Sequence, residues 1–293
     1  MSEIPRLILA PLRGVTGRCF RDTFAPEIKS AEFEEVITPF IAAMMGLDPL
    51  KDREIKAASP ASAVPQFIGK DPSAFRAALE RIKSAGWEFA DLNCGCPFPM
   101  VRNKGRGSGI LKTPEVLREM LAAGCEVLGP GKLSIKARLG VDRPDELLSL
   151  MPVINEFPLR YITIHARTAR QMYSGSVDIA QFIKVRNASA LPVVYNGDAG
   201  IDGAQVDADG VMVGRAFVRS LGQREDSREL LTRYMVASCE ELKSARPVLG
   251  RMKELLVYWK DIPAWRRLWP VAKLARSLDE FAISLRLERC ASF

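Results

Sequence analysis

The sequence predicts an α/β protein, a (β/α)8 TIM barrel with a C-terminal all-helical domain. Three observations predict it. Short β-rich runs alternate with longer segments of helical spacing, the pattern of parallel strand–helix units. Nearly every such run ends on polar residues, which in a barrel of this kind gather at one mouth. From about Leu221 the strands stop and helical periodicity alone continues. The division that follows is a barrel over residues 1–220 and a helical domain over 221–293.

The eight strands are expected at 7–12, 35–40, 64–68, 88–93, 132–138, 161–165, 192–196 and 210–213. Their carboxyl ends carry Arg13, Gln66, Asn93 with Cys96, Lys136 with Arg138, His165 with Arg167, Asn196 with Asp198, and Arg215. Packing alone does not explain polar groups at one end of so many strands. Asp71-Pro72-Ser73 opens a helix with an N-cap and a first-position proline, and Phe75, Ala78, Leu79 and Ile82 then recur on one face. Thr113-Pro114-Glu115 opens the next in the same way. Between Asp198 and Gly210 there is little room, so the seventh crossover is expected to shrink to a turn or two. The tail should form helices over 225–241, 245–259, 263–275 and 278–287. Lys253, Lys260, Arg266, Arg267, Lys273 and Arg276 give it a basic face, with Trp259, Trp265 and Trp269 interleaved. Cations and aromatics together hold phosphates and stack on bases, although each tryptophan taken singly reads better as a core knob.

Composition narrows the classes. The chain has 293 residues, 47% of them hydrophobic, which is ample for one large barrel and an appendage. No apolar run is long enough for a membrane span, and the start lacks the basic and apolar stretches of a signal peptide. Six scattered cysteines fit a reducing cytoplasm better than a disulfide framework. With one histidine and a Cys-x-Cys pair, no metal site is expected. The formal charge of +7 is compatible with an anionic partner.

The motifs carry the chemistry. Asp91-Leu92-Asn93-Cys94-Gly95-Cys96-Pro97 reads as a buried strand ending in a cysteine, followed by the glycine-spaced loop Gly105-Arg106-Gly107-Ser108-Gly109. A thiol with an ordinary pKa near 8.5 is mostly protonated at neutral pH, so Cys96 can give a proton; Cys94 reads as a packing residue. Lys136 sits at the end of the fifth strand, where a buried ammonium needs an anionic or electron-rich partner. Ile164-His165-Ala166-Arg167-Thr168 contains the single histidine. Asn196-Gly197-Asp198 and Gly214-Arg215-Ala216 match a barrel phosphate site, in which backbone N–H groups hold the anion. Ala10-Pro11-Leu12-Arg13-Gly14 ends the first strand in a turn that lets a flat ligand approach.

Taken in this order, the motifs resemble those of the tRNA-dihydrouridine synthases, and the Asn-Cys-Gly-Cys-Pro form resembles the subgroup C type. The resemblance implies an enzyme that uses FMN, with NADPH as electron donor, to reduce one uridine of a tRNA to 5,6-dihydrouridine. Hydride would pass from flavin N5 to uracil C6, and Cys96 would protonate C5. It implies flavin contacts at Pro11, Gln66, Lys136, His165, Asn196, Gly197, Asp198, Gly214 and Arg215. Substrate contacts would come from Asn93, Arg138, Arg167, Lys253, Arg266 and Arg267. A monomer in the cytoplasm is expected. The chain departs from the family pattern at Thr38-Pro39-Phe40, where a carboxylate is usual at Pro39, and at Arg13. Two other readings stay open: a dihydroorotate-dehydrogenase-like barrel acting on a free pyrimidine, and an RNA-binding module with a vestigial flavin site.

Overall fold

In the computed structural model, which describes residues 6–55, 63–202 and 206–287, the strands are all parallel. They are β1 (Leu7–Leu9), β2 (Glu35–Val36), β3 (Ile41–Ala42), β4 (Gln66–Ile68), β5 (Ala90–Cys94), β6 (Leu133–Gly140), β7 (Ile162–Thr168), β8 (Val193–Asn196) and β9 (Gly210–Val213). Their order across the sheet is β2-β1-β9-β8-β7-β6-β5-β4-β3. Residues just past β2 close the ring: Ile37 bridges Val64 in parallel, Val64 N–H donates to Val36 O at 2.8 Å, and Thr38 N–H donates to Val64 O at 3.0 Å. The second barrel strand is thus split into β2 and β3. Pro39 lies at the break, where a residue without an N–H cannot continue the ladder. Thr38 patches the gap by accepting Gln66 N–H on its side-chain oxygen at 3.0 Å. The expected strand at 35–40 is therefore two short pieces, giving nine segments for eight barrel positions.

Helices follow the strands as the sequence pattern predicts. Asp71 caps Pro72–Ser84 by accepting from the N–H groups of Ser73 and Ala74. Thr113 differs: it precedes Pro114–Leu128, but its hydroxyl turns back to Ile110 O rather than capping. Among the described residues no helix joins β8 to β9, and part of the crossover expected there, at 203–205, lies outside the described residues.

Period-two alternation divides the barrel wall. Ile8, Ala10, Ile37, Val64, Tyr161, Val194 and Met212 form one buried cluster. Beside it Glu35 accepts from both Arg160 and Tyr161, an ion pair almost wholly removed from water. Registers Gln66↔Asp91↔Ser134 and Asn93↔Lys136↔Thr163 place polar residues level with one another on neighbouring strands.

The chain resolves into two compact units, and the division falls elsewhere than at 220/221. One unit comprises residues 1–11 and 34–213; the other joins 12–33 to 214–293. Aromatic packing explains the regrouping. Phe20 meets Phe217 and Tyr234 at centroid distances of 6.4 and 5.8 Å, and Phe33 meets Phe217 edge-on at 5.0 Å. Within the second unit, Ser227–Leu242, Ala245–Trp259 and Leu278–Leu285 match three expected tail helices closely. The fourth, 263–275, is two short helices, Pro263–Arg266 and Trp269–Ala272. Pro270, lacking an N–H, fits only the first turn of the second piece.

Candidate active site

Strand β5 positions the cysteine. Alternation turns Asp91 and Asn93 to one face and Leu92 and Cys94 to the other, and all four are buried. Cys94 has no exposure, and burial drives its thiol far above the ordinary range, which makes it a packing residue. Two residues on, the chain has left the strand, and Cys96 is held from both sides. Asn93 Oδ1 accepts the N–H groups of Gly95 at 3.2 Å and Cys96 at 2.9 Å. The Cys96 carbonyl accepts from Ser108 N–H at 3.1 Å and Ser108 Oγ at 2.9 Å. Gly107 makes this embrace possible: at φ +56° a Cβ there would lie 2.7 Å from Cys96 Cβ.

A chain of side chains runs from Asn93 into the barrel. Asn93 Nδ2 donates to Gln66 Oε1 at 2.7 Å, Gln66 Nε2 donates to Asp91 Oδ2 at 2.7 Å, and Ser134 Oγ donates to Asp91 Oδ1 at 2.7 Å. An ionised carboxylate only accepts, so Asp91 fixes which end of each amide faces which partner, as far as the Cys96 N–H. Burial raises the Asp91 pKa to about 6, against the hydrogen bonds from Gln66 and Ser134 and the attraction of Lys136. Asp91 is not among the residues expected at the site, although its two-residue offset from Asn93 signals a shared face.

Lys136 reaches across β7 to β8, where its Nζ donates to Asn196 Oδ1 at 2.9 Å. Asn196 in turn donates to Met212 O at 2.7 Å. Burial, assisted by the charge of Arg138, lowers the Lys136 pKa to about 7. An ammonium has three donors, and one of them is engaged among the described residues. His165 is paired in register with both Arg138 and Asn196, so Lys136, His165 and Asn196 come together at the strand ends. Gly197 lies against this group: a Cβ there would stand 3.1 Å from the His165 ring.

The two mouth arginines, expected as substrate contacts, make hydrogen bonds within the protein. Arg138 is 2% exposed and donates to the backbone carbonyls of Gly95 (2.9 Å), Thr168 (2.9 Å) and Met172 (2.7 Å). Its guanidinium carbon also lies 5.4 Å from the centre of the Tyr173 ring. Arg167, equally buried, donates to Gly175 O, meets His165 Nε2 at 3.3 Å and pairs with Asp198. Arg138 braces the loops after β5 and β7, and Arg167 those after β7 and β8. Tyr173, 6.3 Å from His165 between ring centres, is a mouth residue that no periodicity marks. Gln66 is wholly buried with one N–H and one lone pair engaged, and Pro11 sits just beyond β1, partly exposed.

The remaining expected residues belong to the second unit. Gly214 and Arg215 open the helix Arg215–Gln223. Lys253 donates to Ala275 O at 2.5 Å, so it ties its helix to the segment after Trp269–Ala272, whereas Arg266 and Arg267 are exposed. Trp259 and Trp265 are buried and donate to Val218 O and Gly222 O, as core knobs do. Among the described residues, no three histidine, cysteine or acidic side chains converge as a metal site, and no helix is long and apolar enough to cross a membrane.

These features define a barrel enzyme whose polar groups crowd the carboxyl ends of its strands around one cysteine loop. The fold is similar to that of morphinone reductase, with a TM-score of 0.51 at 14% identity over 73% of this chain and 83% of that one. It is also similar to the old yellow enzyme from Trypanosoma cruzi, with a TM-score of 0.53 at 12% identity over 76% and 88%. At such identities the likeness speaks for the fold alone. Sequence goes further: residues 8–253 match the family model described as Dihydrouridine synthase (Dus), and the chain belongs to that family of flavin-dependent oxidoreductases. It is 27% identical to tRNA-dihydrouridine synthase B of Pseudomonas syringae pv. tomato, over 96% of this chain and 87% of that protein. It is 30% identical to "Probable tRNA-dihydrouridine synthase" of Helicobacter pylori (strain J99), over 73% and 67%. The first of these carries the letter B, so the Asn-Cys-Gly-Cys-Pro run does not by itself assign a subgroup C type.

Proposed function

We propose that this chain reduces a specific uridine of tRNA to 5,6-dihydrouridine, with FMN as its flavin, NADPH as electron donor and Cys96 as the proton donor. The observation that carries the reading is the Cys96 loop, clamped by Asn93 and Ser108 at the mouth that also holds Lys136, His165 and Asn196. The residues present fit a flavin: Lys136 has donors to spare for the electron-rich edge of a reduced ring, and Gly197 leaves room beside His165. Lys136, His165, Asn196, Gly197 and Asp198 would hold it, with Pro11 and Gln66 lining the approach. Bound there, FMN would supply hydride chemistry toward uracil C6.

The rest is the work of the chain. Cys96 keeps a proton on sulfur until C5 becomes basic, gives it up, and is reprotonated from solvent. NADPH, uridine and one proton become NADP⁺ and dihydrouridine. Asn93 holds the cysteine in place through its backbone N–H, and Arg138 and Arg167 keep the neighbouring loops in position. The target base must leave its stack to reach this site. The helical tail, 221–293 in the sequence reading, would supply phosphate contacts through Arg266 and Arg267. A monomeric cytoplasmic enzyme without a metal completes the reading.

The test is dihydrouridine content by mass spectrometry after incubating the purified protein with FMN, NADPH and unmodified tRNA transcripts. Product at one position is expected. Bound, reducible FMN with no dihydrouridine on any transcript would refute the substrate.

A further inference from the structure

The mouth has an outer rim that the chemistry above does not use. Three consecutive loops build it, after β3, β4 and β5. Met44 and Met45 follow β3, Lys70 follows β4, and Phe98, Met100, Arg102, Lys104 and Arg106 follow β5. The loops touch: Arg106 Nη1 meets Met44 Sδ at 3.6 Å, and a Cβ on Gly105 would stand 3.5 Å from Lys70 Cδ. The loop after β5 is the same run that wraps Cys96, through Gly107 and Ser108.

Its composition is unusual for a water-facing surface. Met45 is 67% exposed, Met100 75% and Phe98 39%. Large apolar side chains exposed on adjoining loops mark a binding surface. Among the described residues, no ion pair joins Arg102, Lys104 or Arg106 to a carboxylate. From Cys94 to Thr113 the sequence has Arg102, Lys104, Arg106 and Lys112 and no carboxylate. Of these, Lys112 pairs with Asp142. Arg106 has a buried Nε with no hydrogen-bond partner among the described residues, and its Nη1 finds only a thioether. A half-buried guanidinium left in that state is poised for an anion. Phosphates and exposed base faces together match such a surface. A protein partner would need carboxylates spaced to the cations, and it would leave the stacking surface of Phe98 without purpose.

We propose that this rim receives the unpaired nucleotides flanking the target uridine, with phosphates on Arg102, Lys104 and Arg106 and bases against Met45, Phe98 and Met100. The proposal rests on the tRNA reading above. It adds that the barrel unit contacts single-stranded RNA itself, through stacking as well as charge. Thioethers and a phenyl ring accept any base, so the rim holds the strand without reading its sequence.

The test uses two double variants of the full FMN-loaded chain: Met45→Ser with Met100→Ser, and Arg102→Gln with Lys104→Gln. Binding of an unmodified tRNA transcript is measured between roughly 50 and 200 mM salt, with flavin reduction by NADPH, without RNA, as the control for folding. The methionine pair should weaken tRNA binding about 10-fold with an unchanged salt slope, since stacking is not ionic. The cation pair should lower the slope of log affinity against log salt by about 1.4, the counterions of two single-strand phosphates. Parent-like binding by both pairs, in a protein that still makes dihydrouridine, overturns the rim and leaves the proposed function standing. If the unaltered chain neither binds tRNA nor modifies it, the substrate reading fails and the rim falls with it.

Discussion

Arg138 and Arg167 at the barrel mouth are 2% exposed and commit their donors largely to backbone carbonyls, while Arg266 and Arg267 in the helical unit stand in water. Both pairs look alike in sequence, as cations beside motifs. In the barrel a guanidinium cannot stay buried without partners, because desolvation costs several kcal/mol, so loop carbonyls converge on it and the arginine becomes scaffold. On the helical surface water does the solvating, and the charge stays available to a ligand. The tryptophans follow the opposite rule. Trp259 and Trp265 are hidden inside the helical unit, whereas Phe98 and Tyr173 at the barrel mouth remain open.

The contrast is sharpest at Cys96. Cys96→Ala should cut dihydrouridine formation by about 10²–10⁴-fold, the usual worth of a positioned general acid. FMN absorbance and tRNA affinity should stay as in the parent. Cys94→Ala, by contrast, should retain turnover and lose some thermal stability, because its thiol faces packed side chains. Equal turnover by Cys96→Ala and the parent would break the assignment.

Arg138→Ala should be the most damaging arginine change. It strands three carbonyls that Arg138 now bonds, and a loss of about 3–5 kcal/mol in urea unfolding is expected. A loss under 1 kcal/mol would mean that water replaces the guanidinium and that the mouth is not braced by it.

Asp91 gives a pH signature. Its folded pKa, about 6, lies above the unfolded value, so the native state holds its proton longer. The associated stability is complete below about pH 4 and is lost as pH rises through 6, by roughly 3 kcal/mol. Asp91→Asn removes that titration, so parent and variant stability curves should diverge across this window and run parallel above it. Curves parallel throughout would show that Asp91 titrates normally. Lys136, lowered to about 7, acts in the other direction at higher pH, where deprotonation of the native state comes first and stability rises toward the ordinary lysine pKa.

Replacing Arg266 and Arg267 by alanine should have the smallest structural effect, within about 0.5 kcal/mol of stability, since both are exposed. tRNA affinity should drop several-fold, with a reduced salt slope. Unchanged affinity would confine RNA contact to the barrel unit.

Much of this molecule was legible in its sequence because the information is local. Period-two runs gave the eight barrel positions, and Asp71-Pro72 and the Ala245–Trp259 periodicity gave helices at their observed places. The Asn-Cys-Gly-Cys-Pro run marked the Cys96 loop, since Asn93 acts on its immediate neighbours. What stayed illegible depends on distant partners. Nothing local says that Asp91 meets Gln66 and Ser134, that Arg138 bonds Gly95, Thr168 and Met172, or that Lys136 reaches Asn196 past β7. The break at Pro39 is foreshadowed by the residue, but its repair by Thr38 and the closure through Val64 are not. Residues 12–33 likewise join the helical unit because Phe20 finds Phe217 and Tyr234 roughly two hundred positions away. The sequence alone determined which residue types end each strand, because backbone pitch and turn chemistry act over a few residues. Only the tertiary structure decided which of those residues are buried and bonded and which remain open to a ligand, because desolvation and hydrogen-bond partnership depend on what the rest of the chain brings alongside.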